Sequence, residues 1–368
     1  MSNLVLYRKY RPKTFGEIVG QEHVVKTLTN EIVSGDISHA YLFTGPRGTG
    51  KTTLGRLLAK ALNCQNRKPN EYEPCNKCNS CQEINEGRAM DLIEIDAASN
   101  RGIDEIRKLK EGINFVPTKL KYKLFIIDEA HQLSKDASNA LLKTLEEPPA
   151  HAIFVLATTE AHKIIPTIAS RCQRFDFRRL KSEEIVERLK KILKKEKISF
   201  EEEVLDLISL SANGSVRDAE TLLDQVVSFC GQDKKLEKKE VEDLLGIADR
   251  HLVMKFLEFV SQKKAKEAIE LLNQSIFRGI DVQEFAKTLT QYLRQLLLLK
   301  IDTQFKNPIV LGTTDEDKES FKKLSGSFSQ KEIKEILEEF SKAERKVKYA
   351  SIPQLPLELA VVEVCREK

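Results

Sequence analysis

The chain reads as an α/β protein, with a parallel, helix-covered sheet in its first half and helices alone in its second. Three observations predict this. Short apolar runs recur between residues 40 and 177 with helical stretches between most of them, the alternation that builds a parallel sheet with ligands at the strand C-termini. The first run leads directly into Gly45-Pro46-Arg47-Gly48-Thr49-Gly50-Lys51-Thr52, a complete G-x-x-x-x-G-K-T loop. From Arg179 onward the strand-like runs stop, and apolar stripes at helical spacing take over.

The first strand is Ala40-Tyr41-Leu42-Phe43-Thr44, and after the loop Thr53 to Leu62 carries leucines at helical spacing. Strand, glycine loop and helix together aim backbone N–H groups and a helix N-terminus at a polyphosphate. Gly45, Gly48 and Gly50 let the backbone curl around the anion without Cβ clashes. Lys51 supplies a point charge to the β/γ-phosphates, and the Thr52 hydroxyl is placed to ligate Mg²⁺. A nucleoside triphosphate is the expected ligand, with residues 45–53 as its phosphate cradle.

The next segment carries four of the seven cysteines, Cys64, Cys75, Cys78 and Cys81, spaced C-x10-C-x2-C-x2-C. Four thiolates close a tetrahedral zinc shell and leave no position for water, so the expected ion is structural Zn²⁺. Disulfides are disfavoured in a reducing cytosol. Cys172, Cys230 and Cys365 lie in apolar or strand-like surroundings and read as core residues.

Further strands are expected at 91–96, 122–128, 152–158 and 172–177. The second of these ends in Ile127-Asp128-Glu129-Ala130-His131. An Asp delivered to the sheet edge by an apolar strand is what Mg²⁺ beside a phosphate loop requires, and Glu129 is then positioned to polarise the attacking water. The bland alternative makes Asp128 the cap of a helix starting near Leu133. His131 reads as a packing or hydrogen-bonding residue. Thr158-Thr159 ends the following strand, and Ser170-Arg171-Cys172 precedes the last one.

Charged residues make up 32% and hydrophobic residues 41% of the 368, which suits a soluble globular protein of two or three domains. No apolar run reaches the roughly eighteen residues of a membrane span. The N-terminal apolar stretch is too short for a secretory signal, so a cytoplasmic location without membrane contact is expected. A net charge of +4 is too mild to imply nucleic acid by itself.

The ordered set Tyr7-Arg8-Lys9-Tyr10-Arg11-Pro12, Val19-Gly20-Gln21, GPRGTGKT, the four cysteines, IIDEAH, LLKTLEEPP, ATTEAHKI and SRC resembles the motor subunits of bacterial replicative clamp loaders, the gamma/tau subunits of DNA polymerase III. The resemblance runs from Leu4 to about Gly231. It implies a P-loop AAA+ domain with an inserted zinc module, followed by a helical lid and an all-α collar. The implied boundaries are residues 1–178, with the zinc module at about 64–81, then 179–245 and 246–368. It implies ATP hydrolysis coupled to loading a sliding clamp onto primed-template DNA. It also implies an assembly with delta- and delta-prime-type subunits and further copies of the chain.

Residue by residue, the resemblance implies that Arg11, Pro12 and Val19-Gly20-Gln21 border the adenine and that Thr159 is the first sensor. Arg171 would be a finger reaching the ATP of a neighbouring subunit, and Arg217 the second sensor. Arg217 follows Ser215, which reads as an N-cap with Asp218 three residues on. Amphipathic helices at 182–189 and 201–211 belong to the same lid.

In the collar, Val282, Phe285, Leu289, Tyr292, Leu293 and Leu296 form one stripe, and Ile333, Ile336, Leu337, Phe340 and Val347 another. Residues 303–326 read as a looser connection. No Pro-rich or basic tail precedes Lys368, which sets the expectation that the polymerase- and helicase-binding regions of the long family form are absent. Arg101, Arg107 and Lys143 are candidate contacts to a phosphate backbone, with solvated surface charge as the competing reading. The competing functions are a zinc-mediated nucleic-acid binder, a P-loop kinase, and another AAA+ nucleic-acid remodelling ATPase such as a branch-migration motor.

Overall fold

In a computed structural model, residues 5–99, 112–113, 115–231, 235–244, 249–301, 321 and 323–366 are described. Five strands, β1 (Ala40–Thr44), β2 (Leu92–Asp96), β3 (Lys123–Asp128), β4 (Ala152–Thr158) and β5 (Gln173–Asp176), form one parallel sheet in the order β2-β3-β4-β1-β5. They lie within a residue or two of the runs read from the sequence. The three central strands, β3, β4 and β1, are buried on both faces and so are apolar nearly end to end, while β2 and β5 at the sheet edges are only partly buried.

The alternation along each strand sends its side chains into two separate cores. Tyr41, Phe43, Leu124, Ile126, Ile153 and Val155 join one cluster with Leu28, Leu54 and Leu58. Leu42, Phe125, Ile127, Phe154 and Leu156 join the other with Leu141 and Leu145. The helices α2 (Glu22–Ser34) and α3 (Lys51–Asn63) therefore cover one face, and α5 (Lys135–Glu146) the opposite face, with α4 (Asn79–Asn85) between them in sequence. Gly55 on α3 sits where a Cβ would lie 3.2 Å from Ile126 and Val155, which lets that helix approach the sheet closely.

The order matters for function. β4 is paired between β1 and β3, so the loop after β1 and the carboxylates after β3 open onto one crevice at the strand C-termini. The helix after β3 starts later than expected. Residues Ala130–Gln132 form a 3-10 turn, and Lys135–Glu146 is capped by Ser134, whose hydroxyl accepts from the Ala137 N–H at 3.2 Å. Asp128 is thus not a helix cap, and its carboxylate is left for the crevice.

By its contacts the chain divides into two units, Met1–Lys197 with Ser211–Ser228, and Ile198–Leu210 with Phe229–Lys368. The first holds the sheet, α7 (Ser182–Glu196) and most of α9 (Val216–Cys230). The second is helical, with one isolated bridge between Phe200 and Leu236. Its core joins α11 (Asp249–Ser261), α12 (Ala265–Phe277), α13 (Val282–Ile301), α14 (Gln330–Val347) and α15 (Leu355–Cys365). Phe256 stands edge-on to Phe285 and Phe340, with ring centres 5.4 and 5.8 Å away. Ser329 and Glu332 close a reciprocal capping box at the start of α14. Both stripes read from the sequence face this core. Most of 303–326 lies outside the described residues. No helix among the described residues is long and apolar enough to cross a membrane.

Candidate nucleotide site and cysteine cluster

The glycine loop leaves β1 under tight constraint. At Gly45 (φ +143°) an added Cβ would lie 2.3 Å from the Phe177 carbonyl oxygen, and at Gly48 (φ +74°) 1.9 Å from the Ser215 hydroxyl. Both positions therefore demand glycine for space as well as for backbone conformation. The Val216 N–H donates to the Gly48 carbonyl at 3.1 Å, which fixes the N-terminus of α9 against the loop. Ser215 caps that helix, accepting from the Asp218 N–H at 3.2 Å.

Lys51 opens α3 and is nearly buried. Its ammonium donates to the carbonyls of Gly45 and Pro46, each at 2.8 Å. Burial pulls its pKa below the usual lysine value, against the opposing fields of Asp128 and Glu129. A desolvated cation between loop carbonyls and two carboxylates has much to gain from a polyphosphate, which supplies charge without displacing the helix.

Across the crevice the Thr52 hydroxyl donates to Asp128 Oδ2 at 2.8 Å. Two oxygens sharing an octahedral Mg²⁺ lie about 3 Å apart when each bond is about 2.1 Å, so this pair fits the ion the sequence implies. Glu129 follows with a left-handed φ of 48°, a strained conformation for a residue with a side chain. Its carboxylate accepts from the Thr159 hydroxyl at 3.0 Å. The His131 side chain is buried beside it, with Nδ1 3.0 Å from the Thr158 hydroxyl and 3.5 Å from Glu129. It is the hydrogen-bonding residue expected from the sequence.

The cleft wall is built from Arg47 through Thr53, Asp128 and Glu129 at one end, and from Arg11, Pro12, Ile18 and Val19 elsewhere. Arg217 joins them from α9 and stacks over the Tyr7 ring with its guanidinium carbon 5.0 Å from the ring centre. Burial, with Arg56, Arg217 and Arg8 nearby, draws the Arg11 guanidinium below its ordinary value against the pull of Glu94. Such a cluster of cations favours an anionic ligand.

Four placements were not foreseen. Gln21, expected at the base, is fully buried and turned elsewhere: its amide donates to the Arg178 carbonyl at 2.7 Å and accepts from the Arg178 N–H at 3.1 Å. Glu220 and Arg188 line the cleft as a buried pair 2.9 Å apart. Burial raises the Glu220 carboxyl, opposed by Arg188 and Arg11. Tyr7 under Arg217 carried no signal beyond its place in the N-terminal motif. Glu220 stands three positions after Arg217 on one helix, the single cue that pointed toward the cleft.

Arg171 is absent from this wall. It is partly exposed, donating to Glu146 at 2.7 Å and to the Thr167 carbonyl at 2.7 Å. Lys143 is exposed on α5. Arg101 and Arg107 lie outside the described residues.

Away from the cleft, the sulfurs of Cys64, Cys75, Cys78 and Cys81 all lie within 4.8 Å of one another. Thiolates on a tetrahedral zinc stand about 3.8 Å apart for Zn–S bonds of about 2.3 Å, so the cluster fits that ion with little movement. Backbone N–H groups of Lys77 and Cys78 point at the Cys75 sulfur, 3.4 and 3.3 Å away. Burial opposes ionisation of Cys75, but these donors and the neighbouring thiols outweigh it and bring its pKa down to about 6. Burial instead raises the Cys64 and Cys81 thiols, so it is the gathering of four cysteine sulfurs, with Cys75 the readiest to ionise, that matches the donor set zinc takes. Cys172, by contrast, is pushed up to about 12 by burial, as an inert core thiol should be.

Comparison with known proteins places this arrangement. Residues 20–181 match the family model for DNA polymerase III, delta subunit. Residues 184–232 match the ATPase lid domain of the DNA polymerase III clamp loader subunit. Residues 236–368 match domain III of DNA polymerase III subunits gamma and tau. The chain is 37% identical over 367 residues to DNA polymerase III subunit gamma of Buchnera aphidicola subsp. Schizaphis graminum, covering 100% of this chain and 99% of that protein. The chain belongs to the DNA polymerase III gamma/tau family. It is 43% identical over 366 residues to subunit tau of Bacillus subtilis, covering 100% of this chain but only 64% of the longer tau. It spans 47% of the Escherichia coli tau subunit. The Thermotoga maritima RuvB branch migration motor aligns at 19% identity over 76% of this chain and 85% of that one, with a TM-score of 0.49, too distant to bear on function.

Proposed function

We propose that this gamma/tau family member is an AAA+ ATPase, the motor of a bacterial replicative clamp loader. The observation that carries the reading is the single crevice in which Lys51, the Thr52–Asp128 pair and Glu129 meet the N-terminus of α9. In this reading residues 1–178 are the nucleotide-binding domain, 179–245 the lid and 246–368 the collar.

The loop N–H groups and Lys51 hold the β- and γ-phosphates; Thr52 and Asp128 are the residues that would hold Mg²⁺, which would supply positive charge beside the phosphates. Glu129 accepts the proton of the attacking water, and Thr159 keeps its carboxylate in place. Arg217 reports γ-phosphate occupancy to α9. Because Val216 is bonded to Gly48, a change in the loop is passed to the helix as a rigid displacement. Arg171 faces away from its own cleft and serves the nucleotide of an adjacent subunit. Zinc holds the segment 64–81 and takes no part in hydrolysis. Sliding clamp, primed DNA, delta- and delta-prime-type subunits and further copies of the chain are the partners. Arg101, Arg107 and Lys143 contact the DNA backbone.

The test is steady-state ATP hydrolysis by the chain assembled with its loader partners, with and without clamp and primed DNA. Joint stimulation by clamp and DNA, lost in Lys51→Ala, is expected. A rate indifferent to both, in an assembly shown to be intact, overturns clamp loading and leaves an AAA+ ATPase acting on another nucleic-acid client.

A further inference from the structure

The cysteine cluster reaches the cleft through a short polar chain. Glu73, two residues before Cys75, accepts from the Phe15 and Gly16 N–H groups, one on each carboxylate oxygen, at 2.9 Å each. Asn76, directly after Cys75, donates to the Lys13 carbonyl at 3.1 Å. Lys60, 2% exposed on α3, donates to the same carbonyl at 2.7 Å and to Asn76 and Asn85 at 2.7 and 2.8 Å. The Tyr72 ring stands edge-on to Phe15. All of these contacts from the cysteine segment converge on residues 13–16. That stretch joins Arg11 and Pro12 to Glu17, Ile18 and Val19, every one of which lines the cleft.

Between Tyr10 and Gln21 the backbone has one 3-10 turn, Phe15–Glu17, and no strand partner among the described residues. Its position is therefore set by contacts from outside, chiefly the buried Phe15 side chain and these hydrogen bonds. With a triphosphate on the loop and Lys51, the side chains of Pro12, Ile18 and Val19 offer its base an apolar wall within this cleft. None of the contacts from Glu73 or Asn76 touches the phosphate end. Lys60 shares a helix with Lys51, so base wall and phosphate cradle are referred to one rigid element.

We propose that Glu73 and Asn76, held in place by the four-cysteine cluster, are positioning residues for the base-side wall of the cleft and set how tightly and selectively the base is held. The inference rests on the nucleotide reading above. It gives the cluster a task, since a knuckle needed only for its own loop would not direct its flanking side chains into another segment's backbone.

The experiment compares the full wild-type chain with Glu73→Ala and Glu73→Gln, measuring Kd for ATP, GTP and inorganic tripolyphosphate, with Tm alongside. For Glu73→Ala the expected result is ATP affinity reduced about tenfold, tripolyphosphate within about twofold, and a smaller ratio between ATP and GTP. Glu73→Gln retains one acceptor oxygen, so it should fall between, and it decides the matter alone if Glu73→Ala does not fold. Unchanged ATP affinity in the variants, or an equal loss for ATP and tripolyphosphate, overturns the proposal. Failure of wild-type chain to bind ATP or tripolyphosphate overturns instead the reading of the cleft.

Discussion

The Thr159 hydroxyl donates to the Glu129 carboxylate across 3.0 Å, joining the end of β4 to the carboxylate that follows β3. Glu129 is held in a left-handed backbone conformation, so its side chain leaves the chain at an angle the backbone alone would not favour. Thr159→Val should leave ATP affinity within about twofold while slowing turnover at least about tenfold, because base orientation is lost and phosphate contacts are kept. Nucleotide titration beside single-turnover hydrolysis checks this. A fall in affinity equal to the fall in rate would assign Thr159 to binding instead.

Arg171 rests on Glu146 and the Thr167 carbonyl, and both contacts are local and partly exposed. Exposed ion pairs contribute little to stability, about 0–1 kcal/mol, so Arg171→Ala should fold normally and bind ATP normally. Turnover in the full assembly should fall by about a hundredfold or more, toward the range seen when a trans-acting arginine is withdrawn. An assembly of unaltered size and unaltered rate would show that Arg171 serves no neighbouring site.

Much of this geometry was legible in the sequence, for physical reasons. Thr52 and Asp128 are 76 residues apart, yet the Mg²⁺ chemistry requires both, and an apolar strand announces each, leading into the glycine loop before Thr52 and ending in Asp128. The three central strands were readable because burial on both faces makes them apolar nearly throughout, whereas the edge strand β5 showed only an alternation of polar and aromatic residues. From the sequence the helix after Asp128 reads as starting near Leu133, whereas a 3-10 turn comes first and Ser134 supplies the cap. Lys60, Glu73, Glu220 and the observed placement of Gln21 on Arg178 left no cue for a different reason. Each acts through a hydrogen bond or ion pair to a distant segment, and such pairs leave no period in the sequence.

The junction between β5 and α7 carries a pH-sensitive pair. Arg178 donates to both oxygens of Glu184, at 2.9 and 2.7 Å, and the Lys181 N–H adds a third bond at 2.8 Å. The Arg178 guanidinium, ahead of any penalty from burial, holds the Glu184 carboxyl below its usual value. A depressed carboxylate stabilises the fold above its unfolded pKa of about 4.3, and that contribution is lost as pH falls through the folded value. Glu184→Gln should therefore lower Tm at pH 7, and the difference from wild type should shrink as the pH drops below about 4. Parallel Tm–pH curves would mean that the carboxylate charge contributes nothing.

Zinc gives the last test, because the four thiols have no other evident partner strong enough to hold them together. The sulfurs already lie within 4.8 Å of one another, with Cys78 and Cys81 buried, so removal of one ligand leaves the others gathered but unable to close the shell. Metal analysis of the purified chain should find about one zinc per molecule, and Cys81→Ser should retain little of it. The loss should lower Tm by several degrees, because binding energy linked to folding is withdrawn. The strands should persist by circular dichroism, since the sheet's two cores are built without these residues. A wild-type chain free of zinc, and a Cys81→Ser chain of equal stability, would reduce the cluster to four packed thiols.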